Sequence, residues 1–358
     1  MKILYCASVP SHLKNFHLPY IQWLSEQGCE ITTLTDDGQM LPYVFSAEKV
    51  PFTKNLLSPQ NVKSIICLKE LFLKHSFDLI ITNTTLAGAV VRAAILLTNK
   101  RIRPFVIHIC HGYLFDERGI LRKLLYLPPE KICAAVTDLL VVMNKEDERI
   151  AQKYKLAERI EFVHGMGVDS ERFKPNSGPE RLSGFTFVCV ADFTKRKNQP
   201  MLIRAFAKLA DKLPDLTLAF AGDGATMERC RRLAEKLGVA KRVMFMGYVA
   251  DIAGLLPRCD AAVSVSRYEG LPFNIMEAML CELPIVASDI RGHCDLLENT
   301  EAMLFNGEDG LVKKLFETYN AERRRVKYPN IGRYTLANVM REWETIYTRQ
   351  LQKVKAGL

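Results

Sequence analysis

Short runs of wholly apolar residues alternate along the chain with stretches whose apolar positions recur every three or four residues. In the first half, Lys2–Ala7, Glu30–Thr35, Leu79–Thr82, Phe105–His108 and Leu139–Met143 read as strands. Leu18–Glu26 reads as an amphipathic helix closed by Gly28. The rhythm then restarts. Phe185–Val190, Leu216–Ala221, Val243–Met246, Ala261–Ser264 and Ile285–Ala287 are strands, separated by helices at Pro200–Leu213, Ala225–Leu237 and Ile275–Cys281. Strands that are apolar throughout belong to parallel sheets covered on both faces. Because the pattern occurs twice, it predicts an α/β chain of two Rossmann-like domains. A polar, turn-forming stretch within 173–184 (Lys174, Pro175, Asn176, Ser177, Gly178, Pro179) marks the divide. The resulting domains are 1–173 and 174–334, with a closing helix at about 335–358.

Composition narrows the class. The 358 residues are 48% hydrophobic and 25% charged, which excludes a disordered or collagen-like chain and agrees with two domains. The net charge of +9 is uneven: residues 323–358 hold nine Lys and Arg against Glu342 and Glu344. A basic tail suggests an anionic partner, whether a membrane surface, nucleic acid or phosphorylated substrate, or else a solubilising face. The ten cysteines form no C-x-x-C pair, and several lie inside apolar runs, as small buried thiols do in a reducing compartment. Met1–Val9 runs directly into a strand, so no signal peptide is expected. The apolar stretches Leu86–Leu97 and Ile132–Met143, interrupted by Arg92 and Asp138, fall short of the ~20 residues of a spanning helix. The expected location is the cytoplasm.

Open α/β sheets bind ligands beyond the carboxyl ends of their strands, so strand–helix junctions carry the candidate chemistry. The sharpest is Glu269-Gly270-Leu271-Pro272-Phe273-Asn274-Ile275-Met276-Glu277, between a strand and a helix. Gly270 and Pro272 shape the turn, the first backbone N–H groups of the helix suit a diphosphate, and Glu277 suits the vicinal hydroxyls of a ribose. Lys197 precedes Asn198, a plausible N-cap, and Pro200, suited to a first helical turn. A cation there can hold phosphates and stabilise a leaving diphosphate. Gly222-Asp223-Gly224 is a turn in which Asp223 is either a helix cap or a ligand. His111 follows an apolar strand. His108 lies three residues before it, on the opposite face of the strand, and reads as a core histidine. No Asp-x-Asp occurs, and nothing in the sequence suggests a metal clamp. Ser8, Ser11, His12 and Lys14 fall in a first strand–helix loop that lacks the glycines of a dinucleotide fingerprint.

These strings resemble the retaining glycosyltransferases of family four, whose GT-B fold has two facing Rossmann-like domains, a cleft and a C-terminal helix returning to the first domain. Gly167-Val168-Asp169-Ser170-Glu171-Arg172-Phe173, Val190–Lys197 with Asn198–Phe206, and Gly247-Tyr248 agree with the family's segments. Ser8–Tyr20, His111-Gly112-Tyr113 and Asn144-Lys145-Glu146-Asp147 are similar to a subgroup building cell-surface polysaccharide on a lipid carrier. The resemblance implies a retaining, metal-independent hexosyl- or N-acetylhexosaminyltransferase without cofactor. It would use a nucleotide diphosphate sugar, UDP-linked, and a polyprenyl-linked saccharide acceptor at the inner face of the cytoplasmic membrane.

Carried onto this chain, the resemblance assigns Lys197 and the helix from Phe273 to the diphosphate, Glu277 to the ribose, and Glu269 and His111 to the transferred sugar. Ser11, His12, Lys14, Arg291 and His293 fall on the acceptor side. The family's Gly-Arg pair is Ala191-Asp192 here, so Lys195 or Arg196 is left to supply the second cation. The segment Arg118–Cys133 mixes Arg118, Arg122, Lys123 and Lys131 with leucines and Tyr126. It reads either as an interfacial membrane segment or as a core-facing helix with a basic outer face. Arg341, Arg349, Lys353 and Lys355 are expected to face the same membrane. The basic run shows no zinc or RNP pattern, and no nucleic-acid partner is expected. A sugar-nucleotide epimerase of the same architecture is the rival reading, followed by a non-catalytic nucleotide- or DNA-binding protein.

Overall fold

The computed structural model describes residues 1–53, 55, 58–98, 103–116, 119–175, 181–321 and 323–355. It divides into two units: Met1–Met166 with Val339–Leu358, and Gly167–Asn338. The turn residues Asn176–Pro179 of the expected linker lie outside the described residues. The division falls before them because Val168 N–H donates to Tyr334 O (2.9 Å) and Leu336 N–H to Val168 O (2.8 Å). Phe173, meanwhile, is buried in the second unit's core.

The first unit runs β1 (Lys2–Cys6), α1 (Pro10–Phe16), α2 (Leu18–Glu26), β2 (Glu30–Thr35), β3 (Ser46–Lys49), α3 (Pro59–Lys74), β4 (Leu79–Asn83) and α4 (Thr85–Leu96). It continues through β5 (Phe105–Cys110), α5 (Ile120–Ala134), β6 (Leu139–Val142), α6 (Lys145–Tyr154) and β7 (Arg159–Phe162). Its sheet has the order β3-β2-β1-β4-β5-β6-β7. The strands pair in parallel, Ile3 lying opposite Ile31 on one side and Leu79 on the other.

The second unit runs β8 (Phe185–Val190), α7 (Gln199–Ala210), β9 (Leu216–Ala221), α8 (Met227–Lys236), β10 (Val243–Phe245), α9 (Ile252–Leu255) and β11 (Ala261–Ser264). Then come α10 (Phe273–Leu280), β12 (Ile285–Ser288), α11 (Arg291–Leu297), β13 (Met303–Phe305) and α12 (Gly307–Asn320). Its parallel sheet has the order β10-β9-β8-β11-β12-β13. Successive residues of one strand enter opposite cores: Phe187 and Cys189 join one cluster, and Val188 between them joins the other. That is the two-faced burial expected of apolar parallel strands.

In both sheets the strand order reverses beside the first strand, between β1 and β4 and between β8 and β11. Those switch points are where such sheets open a crevice for ligands. A last helix, α13 (Leu336–Lys355), returns to the first unit from Val339 onward. Val339, Trp343 and Tyr347 are buried there, and Trp343 Nε1–H donates to Gly165 O at 3.0 Å.

Several arginines of the basic tail serve the fold. Arg323 reaches Asp215 and Asp260, Arg324 pairs with Glu301, Arg325 donates to Pro257 O at 2.6 Å, and Arg349 pairs with Glu161 at 2.6 Å. Part of the tail's positive charge is therefore used inside the fold, while the Arg349 side chain, paired with Glu161, stays 44% exposed.

Candidate active site

The loop after β8 and the loop after β11 meet at the second unit's switch point. Arg267 N–H donates to Arg196 O (2.9 Å), and Arg267 Nη2 reaches Asn198 Oδ1 (3.3 Å). Asn274 Nδ2, in the first turn of α10, donates to Val190 O at 2.9 Å. Gln199 Nε2 does the same to Asp192 O at 2.8 Å. Asn198 occupies the N-cap position of α7 at φ 57 but makes no side-chain cap bond, so its expected capping role is not realised. Asparagine tolerates that left-handed backbone better than most residues.

Glu269 is the centre of this arrangement. It is only 6% exposed. Its Oε1 accepts from Lys197 Nζ (2.7 Å) and Ser266 Oγ (2.7 Å), while Oε2 accepts from Arg196 Nη1. Burial alone would raise its pKa, but Lys197 and Arg196 outweigh that and hold the carboxyl below its ordinary value. Of the two residues left to supply a second cation, Arg196 joins Lys197 here and Lys195 is exposed. The ammonium retains donors beyond the one given to Glu269, and the guanidinium likewise.

Two glycines set this geometry. Gly222, after β9, has φ 147, and a Cβ there would stand 2.1 Å from Ala191 O. This lets the Gly222-Asp223-Gly224 turn lie against the β8 loop. Asp223 does not cap α8, which begins at Met227; its Oδ1 accepts from Gly224 N–H at 2.6 Å. A Cβ on Gly292 would meet Gly270 O at 2.5 Å and Glu269 O at 2.8 Å, so α11 packs directly on the Glu269-Gly270 backbone.

Helix α10 begins at Phe273 after Pro272, with Leu271 and Ile275 packed into the core below. Glu277 lies in its second turn; desolvation raises its carboxyl to about 7, with Arg172 pulling the other way. Arg291 is the first residue of α11. His293 does not fit an acceptor surface. It is fully buried, Nε2 meets Ser264 Oγ at 3.0 Å, Nδ1 meets Ser288 O at 2.8 Å, and burial depresses its pKa to about 4. It buttresses β11 and β12 behind the loop.

At the first unit's switch point, Ser11, His12 and Lys14 lie on α1, not in the loop expected there. Pro10 opens that helix, and Pro19 ends it by excluding the carbonyl four residues back. His17 stands at the break between α1 and α2. His12 Nε2 lies 3.3 Å from both His111 Nε2 and His17 Nε2. His17 Nδ1 meets the Tyr5 hydroxyl at 2.9 Å. Asn83 places Oδ1 3.4 Å from His111 Nε2 and donates Nδ2–H to Cys6 O. Burial depresses all three imidazoles, that of His12 to about 4, and the neighbouring rings add to the effect on His17 and His111. His108, as expected, is a core residue, bonded to Thr82 Oγ1 at 2.9 Å.

Sequence reasoning missed His17, Asn83, Tyr5 and Ser266. The signal for His17 was its position just before a Leu-Pro step, which breaks the helix.

Helix α5 places Ile120, Leu121, Leu124, Leu125 and Ile132 in water, Leu121 at 84% and Leu124 at 68% exposure. At 100° per residue these five cover an arc of about 140°. Exposed Lys131 falls within that arc and exposed Arg122 beside it, so the outer face mixes apolar and basic side chains. Arg118 lies outside the described residues.

Residues 20–172 match the family model described as Glycosyltransferase Family 4, and residues 170–333 match Glycosyl transferases group 1. "Putative glycosyltransferase EpsD" of Bacillus subtilis (strain 168) is 35% identical over 335 residues, spanning 90% of this chain and 86% of that one. The UDP-Gal:alpha-D-GlcNAc-diphosphoundecaprenol alpha-1,3-galactosyltransferase of Escherichia coli is 30% identical over 74% of this chain and 72% of its own. Among solved structures, Anabaena Alr3699/HepE in complex with UDP and glucose superposes with a TM-score of 0.71 at 19% identity, covering 97% of this chain and 100% of that one. Sucrose-phosphate synthase from Thermosynechococcus elongatus gives 0.77 at 16% identity, covering 98% and 99%. The chain belongs to the family 4 glycosyltransferases, and its two parallel-sheet units have their GT-B architecture.

Proposed function

We propose that this glycosyltransferase moves a hexose or N-acetylhexosamine from a UDP-sugar onto a polyprenyl-diphosphate-linked saccharide, with retention, in cell-surface polysaccharide synthesis. The observation that carries the reading is the buried Glu269 carboxylate shared by Lys197 and Arg196, beside the start of α10. Two cations with unused donors, set by a helix N-terminus, suit a diphosphate and lower the barrier to its departure. Together they meet a charge that a divalent ion meets in other transferases.

The Gly270–Ile275 turn and Gly222-Asp223 complete the nucleotide site, and Glu277 holds the ribose hydroxyls. Glu269 contacts the transferred sugar, and His111 is the first unit's contact to it. Ser11, His12, Lys14 and Arg291 remain on the acceptor side. The acceptor oxygen bonds to the anomeric carbon on the face from which the bond to the β-phosphate oxygen breaks, and that phosphate oxygen takes the acceptor's proton. The UDP-sugar and lipid-linked acceptor named for the E. coli relative support this choice, as does the UDP in the HepE complex. The exposed apolar arc of α5 supports attachment to the inner face of the cytoplasmic membrane.

The test incubates the purified chain with a panel of UDP-sugars and a synthetic polyprenyl-diphosphate-linked monosaccharide. Product with an α-anomer from an α-donor is expected. Near-normal transfer by Glu269→Ala would overturn the site. A sugar changed without any acceptor would replace the transferase with an epimerase.

A further inference from the structure

We propose that His12, His17 and His111 form a three-imidazole site for a divalent transition-metal ion of the zinc class, with a fourth coordination position left open. The site lies wholly within the first unit and shares His12 and His111 with the sugar and acceptor contacts proposed above, but its test reads metal binding and not transfer.

The distances carry the inference. A tetrahedral zinc ion bonds imidazole nitrogen at about 2.0–2.1 Å, which sets neighbouring ligand nitrogens about 3.3–3.4 Å apart. His12 Nε2 stands 3.3 Å from His111 Nε2 and 3.3 Å from His17 Nε2. The three ligand nitrogens all fall within 4.8 Å of one another. Two of the three nitrogen–nitrogen separations therefore match the edge of a zinc tetrahedron, and the third lies within 4.8 Å.

Local structure brings them there at some cost to regularity. On one continuous helix His12 and His17, five residues apart, would diverge by about 140°. The break before Pro19 turns His17 back toward the same point, and His111 arrives from the end of β5.

Outer contacts also suit a metal centre. A ligating histidine usually donates its other N–H to an oxygen, which fixes tautomer and ring orientation. His17 Nδ1 has the Tyr5 hydroxyl at 2.9 Å, and Tyr5 in turn has the Tyr347 hydroxyl at 3.4 Å. At His111 the amide of Asn83, anchored through Nδ2 on Cys6 O at 3.1 Å, places Oδ1 3.4 Å from Nε2, the ligating atom itself, so this contact gives way when an ion binds. The donor set is imidazole, the class that suits zinc, copper, iron and nickel, and it lacks the carboxylate-rich shell of magnesium or calcium. His17 is buried while His12 and His111 are partly exposed, so an ion has a path in. Three protein ligands leave a position for water or a ligand oxygen. A purely hydrogen-bonded triad is the competing account, since each nitrogen pair can share one proton.

The untagged full chain, stripped with chelator and desalted, is titrated with Co²⁺ and with Zn²⁺, followed by visible absorption and calorimetry. One equivalent is expected, with the strong visible bands of four-coordinate cobalt displaced by zinc. His12→Ala and His111→Ala should each weaken binding by more than the about 10–100-fold that loss of an outer partner costs, and Tyr5→Phe by about tenfold. Because His17→Ala opens a hole in a buried site, His17→Gln and a circular-dichroism melt accompany it. Absence of stoichiometric binding by the unsubstituted chain, or binding undiminished in both His12→Ala and His111→Ala, overturns the site in favour of the hydrogen-bonded triad.

Discussion

Glu269 and its two cations form a charge-balanced unit whose parts respond differently to substitution. On the proposed assignment Lys197→Ala removes one donor to the diphosphate, and transfer should fall by about 100-fold or more, the scale of a lost charge-stabilising group. Glu269→Gln frees Lys197 and Arg196 from a competing carboxylate. UDP should then bind more tightly while turnover falls by a similar factor, a split that isothermal titration and initial rates measure separately. Glu277 has the opposite electrostatics. Its folded pKa of about 7 lies above the ordinary carboxylate value, so the folded state binds its proton more readily than the unfolded chain does. Stability from this group is intact below pH about 4.5 and declines as pH rises to about 7. Glu277→Gln should therefore raise stability at pH 8 by about 2 kcal/mol, allowing for the carboxyl's partial exposure to water, and by nothing near pH 4. Denaturant titrations at the two pH values decide it, and loss of UDP affinity in the same variant would reflect the ribose contact. Residue types at the second unit's junctions were readable because Glu-Gly-Leu-Pro and the lysine-helix step are local strings. The pairing of Arg196 with Glu269, 73 positions away, is set by the β8–β11 adjacency and was not.

At the scale of elements, legibility followed burial. Strands β1, β8, β9 and β11 stand out as apolar runs because both their faces are covered. β3 and β7 are edge strands with partly exposed positions, so no apolar run betrays them. Helix α1 was hidden by a sequence rich in polar residues and bounded by Pro10 and Pro19. Close packing between elements gives a sharper test than contact with ligand. Gly292→Ala would drive a methyl group into Glu269 O and Gly270 O, both backbone atoms that cannot swing aside. Transfer should drop at least tenfold with little change in the second unit's melting, because the loop and not the core must move. Helix α5 makes a different prediction. Leu121→Ser with Leu124→Ser should abolish flotation with anionic vesicles while leaving catalysis on a short, water-soluble acceptor unchanged. Flotation retained by that variant would remove α5 from the membrane.

For the whole molecule, the chain passes from the first unit to the second at Gly167 and returns at Val339, so α13 is the last piece to complete the first unit's core. Four of the basic tail's nine Lys and Arg (Arg341, Arg349, Lys353, Lys355) lie on this helix. Arg349 on it pairs with Glu161, and its apolar side buries Val339, Trp343, Ile346 and Tyr347. Trp343 meets Tyr20 edge to face, lies tilted against Tyr347 and gives its one donor to Gly165 O. Trp343→Ala should cost about 3–5 kcal/mol, the range for removing a large aromatic side chain from a core. The loss belongs to the unit that contains it. Hydrogen exchange should show amide protection falling across β1, β2 and α13 in the variant, with β8, β9 and β11 retaining theirs. If UDP binds as proposed above, its stabilisation of the second unit should persist, since Lys197, Arg196 and Glu277 are held by the β8 loop, the β11 loop and α10. Equal loss of protection across both sheets would mean that the two units open as one cooperative block, and that α13 supports the diphosphate site as well as the histidine cluster.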